Sequence, residues 1–250
     1  MDYVLRLQFY SLCYPVIKRK MTMASKCSAI GKPPKVFLAT KVTFHDLLDK
    51  LIAMNHVEYP LDFVIDVRRI IKFRNWDFVI NKNILKYVEF NHIYVDLVDS
   101  LIPPLNLKVL FNPNVKHATI LGRTNVESKS LFKLMPNLQS FWTDQTFPRN
   151  FEQMLLSFKK TVKPVFYEFH VEKVNLKLLR EFLLQQSPNF HMILHMRQIT
   201  FEVRDLMVHF NRQHFKYGWD GPNTKPSVKF EYKDPPKEVI FFDGEFTPKA

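Results

Sequence analysis

Residues 133–145 read KLMPNLQSFWTDQ: a helix-like run ends, Pro136-Asn137 follows, and apolar residues begin to alternate from Leu138. The same pair recurs at Pro113-Asn114, ahead of VKHATIL, and at Pro188-Asn189, ahead of FHMILHM. Proline has no amide hydrogen and moves the residue before it out of helical dihedrals, so a helix stops there. Asparagine tolerates turn geometry and can bond the local backbone. Alternation then places every second side chain on one face of a strand. A repeated strand–helix–corner unit of this kind predicts an α/β fold.

Its period can be measured on the sequence. The first apolar residue of each strand gives the anchors Leu85, Val115, Leu138, Phe166 and Phe190, spaced 30, 23, 28 and 24 residues apart. Apolar or neutral residues follow at +3 and +5, which approximates the strand of leucine-rich repeats, whose units run about 20–29 residues. The expectation is an irregular leucine-rich-repeat-like array in a curved, mostly parallel sheet, with a short helical segment at the N-terminus. An ordinary α/β domain with four βα units shares most of that geometry. Residues 1–42 are read as a basic helical arm, and 43–250 as the repeat-like domain, with capping strands from about 225.

Local signals fill in the elements. Thr43 and Asp46 open an expected helix over 43–55, and Thr124 with Glu127 forms an expected capping box. Residues 97–102 read as a helical piece that Pro103-Pro104 ends. Phe151, Met154, Leu155 and Phe158 share one helix face; Leu176, Leu179, Phe182 and Leu183 share another, behind Asn175 as cap. A further helix is expected over 201–210, and strands over 61–67 and 84–95.

Composition narrows the function. The 250 residues are 46% hydrophobic, enough for a large core, yet they include only 5 Gly, none with a Walker or dinucleotide spacing. That argues against nucleotide-binding enzymes, whose phosphate loops need glycine. Cys13 and Cys27 are too few for a disulfide framework or a four-thiolate metal site. No apolar run approaches the ~20 residues that span a bilayer, and Asp2, Arg6 and Gln8 interrupt the apolar start. The expectation is an intracellular protein, cytoplasmic or nuclear, with no membrane partner.

The net charge is +12, and residues 1–42 supply +7 of it through eight Lys/Arg against Asp2 alone. Such an arm could contact nucleic acid, although it lacks interleaved aromatics. His191 and His195 have a spacing that would ligate a metal on a helix, but they fall in a strand-like segment. No nucleophile elbow, carboxylate pair or Cys-His arrangement is visible, so no catalytic, cofactor-binding or metal residue is assigned. An enzyme with a dispersed site trails the other readings.

If +3 and +5 face the helices, then +2, +4 and +6 face away. This sets Tyr87 and Glu89, His117, Trp142 and Asp144, and Glu168 and His170 on a candidate partner-binding surface with Trp142 at its centre. In the FHMILHM strand the same rule puts Met192, Leu194 and Met196 outward. Tail strands are expected to cover the face there.

YPVIKRKMTMASKCSAIGK (14–32), FKLMPNLQSF (132–141) and LKLLREFLLQQSPNF (176–190) resemble segments of nematode F-box proteins that carry an F-box-associated, leucine-rich-like domain. The Leu-Pro opening of that family's F-box is not matched; LCYPVI stands in its place, and the box is incomplete. The resemblance implies a protein-interaction module, a substrate receptor of a cullin-type ubiquitin ligase. In it a Skp-type adaptor would bind the box and the repeats would bind a target. The reading from another class is a nucleic-acid binder that uses the basic arm.

Overall fold

The computed structural model describes residues 15–24, 34–43, 63–75, 86–158, 162–198, 226–234 and 236–242. The chain divides into two compact units, 1–110 and 111–250. Both are α/β, and their strands are mostly parallel.

In the first unit, helix α1 (Pro15–Ala24) precedes β1 (Lys35–Thr43), β2 (Phe63–Arg74), β3 (Val88–Phe90), β4 (Tyr94–Val98) and helix α2 (Pro104–Leu110). β1 runs parallel to β2, while β3 and then β4 pair with successive stretches of β2. Ile65, Val67, Ile71 and Phe73 of the long β2 are buried, as are Val88, Val95 and Leu97. Fully burying one such side chain stabilises by about 1.5–3 kcal/mol. Arg19 ties α1 to the strands: one guanidinium nitrogen lies 2.6 Å from Glu89 and another 2.9 Å from Asp66. Asp66 has no exposed side-chain surface. Burial pushes its carboxyl up, but hydrogen bonds from Asn91, Arg68 and Arg19 outweigh this and hold it below the usual carboxylate range.

Four expectations fail here. Residues 35–43 belong to a strand rather than a helical arm, and Thr43 pairs with Lys72 instead of capping a helix. The rest of the expected 43–55 helix lies outside the described residues, as does 201–210. Of the strand expected over 84–95, residues 84–85 lie outside the described residues, and the rest holds two short strands with 91–93 between them. Leu97 and Val98 belong to β4, and Pro104 opens α2 rather than ending a helix. Proline suits the first helical turn because that amide has no intrahelical partner.

In the second unit the predicted alternation holds. β5 (His117–Leu121), α3 (Ser128–Leu134), β6 (Ser140–Phe147), α4 (Phe151–Ser157), β7 (Phe166–Val171), α5 (Leu176–Leu184) and β8 (His191–Gln198) follow one another. β9 (Ser227–Asp234) and β10 (Pro236–Phe242) complete it. β5 to β9 pair in sequence order, all parallel, and β10 returns antiparallel to β9.

The Pro-Asn pairs at 113–114, 136–137 and 188–189 each sit between a helix and the next strand, and corners are bonded to one another. The Asn137 amide donates to the Pro113 carbonyl of the previous corner at 2.7 Å. Pro164 has no Asn after it, and there the Ser187 hydroxyl of the next corner reaches its carbonyl at 3.4 Å. Asn175 caps α5 as expected, its side chain accepting from the Leu178 amide. The Thr124–Glu127 capping box does not form. Glu127 occupies the cap position without a side-chain bond, and Thr124 instead accepts from the Val126 amide.

The core between helices and sheet is aromatic. Phe147 stacks on Phe169 at 4.1 Å, Phe132 of α3 meets Phe141 and Tyr167 edge-on, and Phe151 of α4 meets Phe169. Phe182 of α5 lies over Tyr167 at 6.5 Å. Such ring pairs add about 0.5–1.5 kcal/mol each beyond their buried area. Phe141, Tyr167 and Phe169 therefore mark the helix-covered face of the sheet.

Candidate functional site

Parallel pairing lines up the opposite face of the second unit in rows. One row runs His117, Ser140, Phe166, His191 and Ser227; the next runs Thr119, Trp142, Glu168, Ile193 and Lys229. A third holds Thr146, His170, His195 and Glu231. The face is not uniformly open. His191, Ser227 and Thr119 are buried, whereas Trp142 is 42% exposed, and Asp144 and His170 are exposed too.

Here the β8 expectation is overturned. Met192, Leu194 and Met196 pair with Tyr167, Phe169 and Val171 and are buried on the helix side. Ile193 and His195 face outward instead. The anchor Phe190 precedes the strand by one residue, and since side-chain period is 2, an error of one exchanges the faces. No covering strand is needed to explain those apolar residues: β9 and β10 extend the sheet sideways.

The corrected register exposes a charge ladder that the sequence reading missed. His195 contacts Glu168 through Nε2 at 2.9 Å and Glu231 through Nδ1 at 3.1 Å, and Lys229 meets Glu231 at 2.7 Å. Two carboxylates on one ring call for two N–H donors, the imidazolium form. The Glu168 hydrogen bond accordingly raises the His195 pKa against burial, helped by the Glu231 charge. His170 stacks on the same ring at 4.7 Å, and burial together with the neighbouring His195 charge lowers its pKa. The two stacked rings are thus shifted in opposite directions, His170 toward the neutral form and His195 toward the charged one. The apolar alternation of Met192, Leu194 and Met196 was the signal that could have revealed this register.

The remaining predicted residues are distributed as follows. Asp144 Oδ2 accepts from the amide of Gly122, whose φ of 71° falls where glycine costs least. Burial, then the Lys116 charge, lower the pKa of His117, which is half-buried. His191 Nδ1 and Ser227 Oγ lie 2.7 Å apart, and burial brings the His191 pKa down to about 4. Tyr87 and Glu89 belong to the first unit. Glu89 is 10% exposed and held by Arg19, which makes it a structural carboxylate rather than an open contact.

An open groove of about 800 Å³ lies at the end of β6, lined by Glu127, Gln145, Asn150 and Met154 among others. Glu127 is the one ionisable side chain of that lining, which otherwise presents amides, the Thr146 and Ser157 hydroxyls and apolar groups. No group of three or more metal-ligating side chains occurs among the described residues, and none of their helices is long and apolar enough to cross a membrane. Comparisons with protein-family models, curated proteins and solved structures find no match.

Proposed function

We propose that the chain is a protein-recognition module that binds its partner on the outer face of the second unit, centred on Trp142. The observation that carries this reading is the exposure of a Trp in the middle of a polar, internally bonded strand face. Tryptophan is enriched at interface hot spots, and the mixed charges around it favour specificity over bulk adhesion. The stacked Pro-Asn corners support a leucine-rich-repeat-like array, in which such a face would be the curved binding surface. Asp144, Glu168 and Glu231 on it disfavour a phosphate backbone as partner. The role as intracellular substrate receptor of a cullin-type ligase rests on the resemblance of 14–32, 132–141 and 176–190 alone. Purified chain mixed with a Skp-type adaptor tests it by size exclusion. Co-elution is expected, and separate elution at micromolar concentrations removes the ligase role while leaving recognition intact. Retention of DNA or RNA at low salt would favour the basic arm as the working surface instead.

A further inference from the structure

The surroundings of Trp142 narrow the partner, provided that the reading of this face as a recognition surface holds. Trp142 pairs directly with Glu168, so their backbones are about 4.8 Å apart. Asp144 follows two residues along the same strand and is likewise exposed. The nearby ladder is balanced, with His195 and Lys229 set against Glu168 and Glu231. Asp144 is bonded by a neutral donor, the Gly122 amide, so its charge is not cancelled by that contact. An exposed Trp that shares a strand face with Asp144, whose bonded donor is a neutral amide, is complementary to a cation. The ring quadrupole attracts the charge, the carboxylate adds hydrogen bonds, and a planar guanidinium can use both at once.

We infer that Trp142, Asp144 and Glu168 form a cradle for an arginine or lysine side chain presented by the partner protein. An apolar anchor would bring Asp144 into a desolvated contact with no counter-charge, which is costly. An acidic anchor would meet like charge.

A display library of random 16-residue peptides, selected on the immobilised full chain and counter-selected on Trp142→Ala, tests this. The expected outcome is a set of Trp142-dependent peptides enriched in Arg and Lys, whose affinity falls about tenfold in Asp144→Asn and less in Trp142→Phe, which keeps a weaker ring. Trp142-dependent peptides without basic enrichment would overturn the cradle but leave recognition by this face standing. Absence of any Trp142-dependent peptide would overturn both. Circular dichroism melts confirm that each variant is folded, and Trp142→Phe serves should Trp142→Ala fail to fold.

Discussion

Leu179 and His191 show how single residues report on the second unit. Leu179 lies at 3% exposure on the face of α5 that its spacing with Phe182 and Leu183 predicts. Truncation to alanine removes buried methyl groups and leaves a void that close-packed rings fill poorly. Leu179→Ala should therefore cost about 2–5 kcal/mol in urea unfolding. His191 carries a pH signature. Its folded pKa of about 4 lies below the ordinary 6.5, so between those values the unfolded chain binds the proton and the native chain does not. Stability is then fully present above the ordinary value and declines as pH falls toward about 4. His92, also buried, with Nε2 donating to the Leu110 carbonyl, has its pKa lowered to about 4 and acts in the same direction. His191→Gln should make the fall in unfolding midpoint between neutral and about pH 4.5 shallower. A slope unchanged from the parent chain would refute the buried neutral ring.

At the scale of elements, the corners were legible and the register was not always so. Pro-Asn is a local instruction: it stops a helix whatever the rest of the chain does, and the pairs at 113–114, 136–137 and 188–189 lie where that rule puts them. Register depends on where the first hydrogen bond of a strand forms, which sequence alone does not mark. Phe190 is apolar and buried, yet β8 begins at His191, and counting from Phe190 exchanged the faces. The helix cap at Thr124 failed for a related reason, since its hydroxyl closes a tight turn two residues on before the helix begins. The corrected register makes a paired prediction. Met192→Ala should cost about 2–5 kcal/mol, whereas Ile193→Ala, half-buried on the outer face, should cost clearly less. Equal losses, or the reverse order, would restore the original register.

At the scale of the molecule, the α/β class and the strand–helix order of the second unit were readable because they rest on periodicity repeated several times over. The division at 110/111 was not, because it rests on contacts made in the folded chain. The recognition face was legible in part. Trp142, Asp144, Glu168 and His170 emerge on one side of the sheet, but His195 and Glu231, which organise the charges there, needed the three-dimensional pairing of β7, β8 and β9. The central claim is that this face works through Trp142 and not through apolar exposure in general. Leu184, 57% exposed on α5, supplies the control. The decisive measurement compares proteins captured by the immobilised parent chain, by Trp142→Ala and by Leu184→Ala, each verified as folded by its melting midpoint. The account predicts that Trp142→Ala melts like the parent and loses the specific captures that Leu184→Ala keeps. Identical captures by the parent and a folded Trp142→Ala, or a large loss of stability in that variant with binding intact in what remains folded, would contradict it.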